Sequence, residues 1–215
     1  MSENKIVIQD REQQLVTTYV IYRETGRIFV PAASSNRHVH LTAETLARLF
    51  GPGYQLTPQK ALSQPGQFAA AETVTVAGPK GELKKVRVLG PVRKEDQVEI
   101  SRTDSFKLGV KPVVRMSGDV AGTPGIRLIG PAGEVEIPQG VIVAARHLHL
   151  SQEQCETYGL RDGQVISLRS SGERAAILEN VVVRSGPGHD MEVHLDTDEA
   201  NAMAMPNGEM LEVVQ

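Results

Sequence analysis

Short segments in which apolar and polar residues alternate make up most of the chain. Many are rich in Val, Ile and Thr and are separated by turns such as PKG (79–81) and PAG (131–133), a pattern typical of β-strands. No intervening helical pattern is long enough for repeated parallel crossovers, so closed or nearly closed antiparallel barrels are favoured. We predict strands at 28–33, 73–78, 83–90, 97–101, 126–130, 134–137, 141–150, 164–169, 180–184 and 191–195.

Three short helices are predicted where a Thr, Ser or Asp precedes a run of helix-forming residues. The side-chain oxygen of such a residue accepts hydrogen bonds from the first free N–H groups of a helix. Gln154 stands three residues after Ser151, and Glu199 three residues after Asp196, so two of these helices can begin with a reciprocal cap. The three segments are 42–50, 151–159 and 197–204.

One string of residues occurs twice. RHVHLT (37–42) recurs as RHLHLS (146–151), which begins 109 residues later, at 146 instead of 37, and each copy leads into a predicted helix. VHLD (193–196) is a weaker third copy that also runs from a strand into a helix. Because repeats of this kind usually reflect a duplicated structural unit, we predict a mostly β protein with two similar β-barrel domains and short capping helices.

The two histidine pairs in this repeat are candidate metal ligands. Residues i and i+2 of a strand project to the same face, so the histidines of each pair lie side by side. Imidazole pairs commonly hold Zn²⁺ or a similar metal together with a third ligand. His194 is favoured as a third ligand over His189, which we expect to face solvent. The alternative is that both pairs are ordinary hydrogen-bonded strand residues. The paired histidines are His38, His40, His147 and His149.

The composition limits the classes of partner. Hydrophobic residues make up 40% and charged residues 23% of 215 residues, as in globular proteins. A net charge of −3 argues against a broad surface for nucleic acid. The single cysteine, Cys155, excludes an intramolecular disulfide framework and fits a reducing compartment. The longest apolar runs, such as 140–145, are too short for a membrane span, and residues 1–10 lack signal-peptide features. We therefore predict a cytoplasmic protein with no nucleic-acid or membrane partner.

Several longer strings resemble a known enzyme family. The sequence is similar to the propanediol-utilisation type phosphotransacylases, or phosphate propanoyltransferases, from about Phe29 to near the C-terminus. This resemblance implies two β-barrel domains, 1–36 plus 145–215 and 37–144, with a two-zinc active site between them. It also implies acyl transfer between coenzyme A and phosphate. The strings are NRHVHLT (36–42), the segment 61–104, RMSG (115–118), GTPGIRL (122–128), RHLHLS (146–151) and EVHLDTDEANA (192–202).

The resemblance also implies roles for particular residues. Arg93 matches an arginine beside the metals, where it would bind phosphate and stabilise an anionic intermediate. Considered alone, Glu99 is more typical of a solvated strand face, and Lys60 and Arg87 of exposed basic side chains. One zinc would be held by His38, His40 and Glu99, and the other by His147, His149 and His194. Coenzyme A would contact Ser35, Lys60, Arg87, Leu89, His194 and Asn201.

The implied reaction converts a short-chain acyl-CoA and phosphate into acyl phosphate and CoA, with propanoyl-CoA or acetyl-CoA as the substrate. We expect two zinc ions per chain and a homo-oligomer. Some relatives carry an N-terminal amphipathic helix that directs them to a bacterial microcompartment, whose shell or lumen proteins would then be partners. Residues 4–26 show only an uneven apolar stripe, so a targeting segment and an additional strand or helix of the fold both remain open.

Two other functions fit parts of the sequence. Each histidine pair reads His-x-His-x-x-x-Glu with Glu44 or Glu153, the spacing of a cupin-like metal enzyme, although both glutamates fall in predicted helices. A zinc-stabilised module that binds coenzyme A or a nucleotide would need the metal ligands but not Arg93. A covalent acyl-enzyme on Cys155 is rejected, because this residue lies within a helix pattern and has no adjacent base.

Overall fold

The structure, a computed structural model, describes residues 4–214. Its helices are α1 (Arg11–Thr25), α2 (Ala43–Phe50), α3 (Arg102–Leu108), α4 (Gln152–Tyr158) and α5 (Thr197–Ala202). The strands are β1 (Phe29–Ser35), β2 (His38–His40), β3 (Pro58–Ala61), β4 (Phe68–Ala77), β5 (Glu82–Gly90), β6 (Gln97–Glu99), β7 (Val113–Arg115), β8 (Ile126–Ile129), β9 (Glu134–Ile137), β10 (Val141–Ala144), β11 (His147–Leu150), β12 (Val165–Arg169), β13 (Ile177–Ser185), β14 (Glu192–Asp196) and β15 (Glu209–Val214).

The chain forms two compact units. Unit 1 contains the residues up to Ser35 together with those from Ala145 onward, and unit 2 contains Asn36–Ala144. Unit 1 is a closed six-stranded barrel in the order β1-β14-β11-β13-β12-β15. Its interior is filled by apolar side chains that alternate along the strands, such as Leu148 and Val193, both 0% exposed. This period-two burial is why the short β-branched segments of the sequence form strands.

Unit 2 is a nine-stranded sheet in the order β7-β10-β6-β2-β5-β4-β8-β9, with β3 beside β4. Its core includes Val39, Val88 and Val98, which are all 0% exposed. Within the described chain, the short edge strands β7 and β9 do not pair with each other, so the sheet is open. The predicted mostly β class is therefore confirmed, and unit 1 is a barrel, but a second similar barrel is not confirmed.

The strand ladders are mixed rather than purely antiparallel as predicted. The pairs β1–β14, β11–β13, β2–β5, β6–β10 and β7–β10 are parallel. A parallel pair needs a crossover, and between β11 and β13 it consists of α4 followed by β12. One short helix with one strand is enough for this connection, which explains why the absence of long helices was a poor guide to strand direction.

The three predicted helices form with the predicted caps. Thr42 caps α2, and the reciprocal caps predicted for α4 and α5 are both present. The helix α3 was not predicted, although Ser101 and Asp104 form the same kind of cap. Of the helices in residues 4–214, none is long and apolar enough to cross a membrane.

The segment left open at the N-terminus contains α1, a helix of unit 1. It is held by polar contacts: Thr18 Oγ1 donates to the Phe29 carbonyl at 2.7 Å, and Gln14 Nε2 donates to the Ile8 carbonyl at 2.6 Å. Gln14 and Thr18 are both buried, whereas Val16 is 61% exposed. A buried face with polar residues gives no continuous apolar stripe, which explains the ambiguity of the sequence.

Candidate metal and active site

Each histidine pair lies on the central strand of a similar three-strand arrangement. In unit 2, β2 lies between the parallel strand β5 and the antiparallel strand β6. In unit 1, β11 lies between the parallel strand β13 and the antiparallel strand β14. The register places Glu99 opposite His38, and His194 opposite His147. The segment around His194 is thus the counterpart of the segment around Glu99, and it is not a third copy of the histidine pair.

The first group consists of His38, His40 and Glu99, which are 7%, 2% and 8% exposed. His38 Nδ1 lies 2.8 Å from the Asn36 carbonyl, so Nδ1–H donates there and Nε2 carries the lone pair. This Nε2 faces Glu99 Oε2 at 3.5 Å. Among residues 4–214, His40 Nδ1 is buried without a hydrogen-bond partner. Each residue offers one ligand atom, and these atoms all lie within 4.8 Å of one another.

The second group consists of His147, His149 and His194, and its ligand atoms also lie within 4.8 Å of one another. His147 Nδ1 lies 2.7 Å from the Ala145 carbonyl, which again leaves the lone pair on Nε2. In the part of the chain that the structure describes, His149 Nδ1 is buried without a hydrogen-bond partner, as is its counterpart, His40 Nδ1, in unit 2. His194 Nε2 lies 2.7 Å from Glu192 Oε2. The same tautomer and the same orphaned nitrogen therefore occur in both groups.

The electrostatics of the first group favour a bound cation. Burial works to raise the pKa of the Glu99 carboxyl, but His38, His40 and Ser117 together outweigh it and hold this pKa well below its usual range. Burial works to lower the pKa of His38, whereas Glu99 raises it above the ordinary value. Burial, His38 and Arg93 together hold the pKa of His40 well below its ordinary value. The group thus contains an ionised carboxylate and a neutral imidazole near pH 7.

In the second group, burial and the neighbouring His147 and His194 hold the pKa of His149 far below its ordinary value. A neutral, buried imidazole nitrogen without a partner is costly unless it binds something. A metal ion is the partner that suits an imidazole lone pair, and mixed imidazole and carboxylate ligands suit zinc. The residues present in both groups therefore fit metal binding.

The arginine that precedes each pair is not a metal ligand. Arg37 forms an ion pair with Asp104, and Arg146 forms one with Glu199 at 2.5 Å. Asp104 and Glu199 are the third residues of α3 and α5, the helices that follow the strands carrying Glu99 and His194. Each arginine thereby connects the strand that carries the histidine pair to the helix that follows the third residue of the group. This shared contact explains why both copies of the repeat begin with Arg.

Arg93 lies near the first group on the loop between β5 and β6. Its backbone N–H donates to the Leu41 carbonyl at 2.8 Å, and one guanidinium nitrogen donates to Ser117 Oγ at 3.2 Å. Gln97 Nε2 donates to the same Ser117 oxygen at 2.9 Å and to Glu99 Oε1 at 2.6 Å. A continuous hydrogen-bonded path therefore connects the guanidinium with the carboxylate of the metal group.

Comparison with known proteins identifies the family. The model of the phosphate propanoyltransferase family matches residues 31–206. The chain belongs to the phosphate propanoyltransferase family. A phosphate propanoyltransferase of Thermotoga maritima is 54% identical over 198 residues, which cover 92% of this chain and 93% of that protein. A phosphate propanoyltransferase of Rhodobacter capsulatus is 48% identical, and the match covers 93% of this chain and 93% of that protein. A phosphate propanoyltransferase of Salmonella typhimurium is 47% identical, and the match covers 92% of this chain and 94% of that protein.

Membership of the phosphate propanoyltransferase family confirms the resemblance and the prediction of an enzyme. It does not by itself assign the coenzyme-A contacts. Ser35, His194 and Asn201 lie in unit 1, whereas Lys60, Arg87 and Leu89 lie in unit 2. Lys60 and Asn201 are exposed, and Ser35, Leu89 and His194 are half-buried. One Arg87 nitrogen donates to the Ala70 and Ala71 carbonyls, both at 2.8 Å, which fixes this guanidinium on β4.

Sequence reasoning missed Gln97, Ser117 and Glu192. Gln97 and Glu192 each stand two residues before the third member of a group, in Q-V-E and E-V-H. Since residues i and i+2 of a strand share a face, this spacing could have indicated a supporting role. Ser117 is far from the other members in sequence and meets them only in the fold, so no local signal could have found it.

Two expectations about individual residues change. His189 was expected to face solvent, but it is half-buried and its ring centroid lies 4.4 Å from that of His149. Its Nδ1 lies 3.1 Å from the Arg184 carbonyl, which holds the ring in this position. Glu44 and Glu153, the ligands required by a cupin-like site, are exposed on helices and lie outside both groups. The two groups are therefore completed by Glu99 and His194 instead.

Proposed function

We propose that the protein interconverts a short-chain acyl-CoA and phosphate with acyl phosphate and CoA, with propanoyl-CoA as the preferred substrate and acetyl-CoA as a second. The observation that carries this proposal is the hydrogen-bonded path from Arg93 through Ser117 and Gln97 to Glu99. It places a permanent cation beside a group suited to a metal. The relatives are named phosphate propanoyltransferases, and this name supports the reaction class.

We infer that both groups bind zinc. His38, His40 and Glu99 would hold one ion, and a second would be held by His147, His149 and His194. When bound, zinc would polarise a carbonyl oxygen or stabilise a thiolate. The Asn36 and Ala145 carbonyls keep one imidazole of each group in the tautomer that presents Nε2. The chain itself thus prepares both groups for a cation before substrate arrives.

Arg93 is the proposed catalytic residue. In the forward direction a phosphate oxygen attacks the thioester carbonyl carbon, and the carbonyl π electrons move onto oxygen. Collapse of the tetrahedral intermediate breaks the C–S bond, and the sulfur leaves as the thiolate of CoA. The guanidinium of Arg93 can hold the dianionic phosphate by two parallel hydrogen bonds and can offset the negative charge of the intermediate. Ser117 orients this guanidinium through the bond at 3.2 Å.

The proposed coenzyme-A contacts combine charged and neutral side chains. Exposed Lys60 on β3 suits a solvent-facing phosphate of CoA. Arg87 has donors beyond the nitrogen bound to the Ala70 and Ala71 carbonyls, and these can reach a ligand. Leu89 can supply an apolar contact. The remaining proposed contacts are Ser35, His194 and Asn201.

The proposed reaction is tested by phosphate-dependent release of thiol from propanoyl-CoA. We expect release that depends on phosphate, together with formation of acyl phosphate and about two zinc equivalents per chain by elemental analysis. A binding module would hold CoA without releasing thiol. Less than about one zinc equivalent with full activity would rule out the two-zinc assignment, and absence of phosphate-dependent release in zinc-loaded protein would rule out the reaction. Acetyl-CoA measured in parallel gives the acyl preference.

Transfer is proposed to be direct, without an acyl group on Cys155. This thiol is 7% exposed and belongs to the apolar core of unit 1. We expect Cys155→Ala to keep most of the activity, because the thiol fills space in the core and has no assigned base. Mass spectrometry after mixing with propanoyl-CoA checks this expectation. An acyl adduct in the parent protein that disappears in Cys155→Ala would show a covalent route instead.

Assembly and location stay predictions. A homo-oligomer is tested by light scattering of the purified protein. Association with the shell or lumen proteins of a microcompartment is tested by comparing the location of the full chain with that of a chain lacking α1.

A further inference from the structure

Gln97 and Glu192 occupy the same position in the two units. Gln97 is paired with His40 in the β2–β6 ladder, and Glu192 is paired with His149 in the β11–β14 ladder. Each stands two residues before the third member of its metal group, so both project to the face that carries the group. The backbone arrangement around the two groups is therefore matched residue by residue at this position.

The carboxylate stands at different matched positions in the two units. In unit 2 the carboxylate of Glu99 is a group member, and the amide of Gln97 supports it at 2.6 Å. In unit 1 the imidazole of His194 is the member, and the carboxylate of Glu192 lies 2.7 Å from it. The two paired histidines, the third member and the residue two before it make four matched positions in each unit. One of the four carries a carboxylate in each unit, Glu99 in unit 2 and Glu192 in unit 1. The histidine in place of Glu99 is accompanied by a glutamate in place of Gln97.

We propose that Glu192 is a positioning residue for metal binding by His147, His149 and His194. It orients the His194 ring and supplies the negative charge that Glu99 supplies in the other group. A carboxylate that accepts a hydrogen bond from a metal-binding imidazole fixes its tautomer and raises its basicity, and loss of such a partner lowers metal affinity about 10- to 100-fold. This inference rests on the metal binding put forward under the proposed function and extends it to a residue outside the ligand group.

The experiment isolates the second group by removing a ligand of the first. The metal-free full chain with His40→Ala is titrated with zinc in competition with a chromophoric chelator. The one zinc ion that this variant still binds tightly then reports on the group in unit 1. The same titration is made with His40→Ala/Glu192→Gln, because glutamine has nearly the same shape and can still accept a hydrogen bond but lacks the charge. We expect zinc affinity about 10- to 100-fold lower in the double variant.

The control is His40→Ala/Glu173→Gln, which removes one carboxylate from an exposed position in unit 1 and should bind zinc as tightly as His40→Ala. Far-UV circular dichroism of the metal-free proteins checks the fold. If Glu192→Gln does not fold, Glu192→Asp is used, which keeps the charge on a shorter side chain and should still bind more weakly than the background.

Two results would overturn the inference in different ways. Equal zinc affinity of the Glu192 variant and its background would show that Glu192 does not support the group, while leaving metal binding intact. If His40→Ala binds no zinc tightly, and the parent chain also lacks a second tightly bound zinc, the metal assignment on which the inference depends would be wrong.

Discussion

Replacement of Arg93 by Ala is expected to lower kcat about a hundredfold or more, the range seen when one preorganised donor to a developing anion is deleted. The fold should be unaffected, because the hydrogen bond from the Arg93 backbone to the Leu41 carbonyl does not need the side chain. Zinc content and coenzyme-A affinity should also stay close to those of the parent. Turnover is measured at saturating phosphate, so that weaker ground-state binding is not mistaken for a slower chemical step.

Two variants make this result specific. Arg93→Lys should recover only part of the activity, because an ammonium keeps the charge but loses the planar, two-pronged geometry. Arg127→Ala, which removes an arginine exposed on β8 and paired with Glu134 at the surface, should retain parental kcat. Parental turnover in Arg93→Ala would mean that this arginine is structural and that the catalytic assignment is wrong.

Removal of one histidine from either metal group should have the largest effect. His40→Ala and His149→Ala each delete a buried imidazole whose Nδ1 has no hydrogen-bond partner within the described residues, so each should lose about one zinc equivalent. A catalytic metal stabilises transition-state charge by several kcal/mol, which corresponds to a loss of about a thousandfold or more in rate. Zinc content and kcat are measured on the same samples, and thermal unfolding of metal-free protein shows whether the fold persists.

The matched controls for the histidine variants are Glu44→Ala and Glu153→Ala. Both glutamates are exposed and lie outside the two groups, so both variants should keep the parental zinc content and rate. Loss of metal in either of them, with normal metal in His40→Ala and His149→Ala, would favour the cupin-like alternative over the assignment made here.

Local features were predicted well from the sequence. The caps at Thr42, Ser151 and Asp196 mark helices because they depend on side chains only two or three residues away. The projection of both histidines of a pair to one face follows from strand geometry alone. The missed helix α3 has an equally local signal in Ser101 and Asp104. The sequence therefore contained enough information to predict it.

Features set by distant pairing could not be predicted from patterns alone. Glu99 reaches His38 only because the β2–β6 ladder has one particular register, and the prediction that it is a metal ligand came from the family resemblance. The closure of one sheet but not the other depends on which edge strands pair. The short sequences of these strands do not indicate their pairing partners. The burial of Thr18 on α1 also depends on an acceptor, the Phe29 carbonyl of β1, that belongs to the folded barrel.

The divided sequence of unit 1 affects the order in which the protein can fold during synthesis. Unit 2 is a single stretch, Asn36–Ala144, and can fold once that stretch has left the ribosome. Strand β1 is made earlier, but its partners β14 and β15 are produced only after the whole of unit 2. At about 5–20 residues per second, β1 waits roughly 8 to 32 s with both edges unpaired. During that interval Val30 and Ala32, buried in the finished barrel, are available to chaperones and to aggregation.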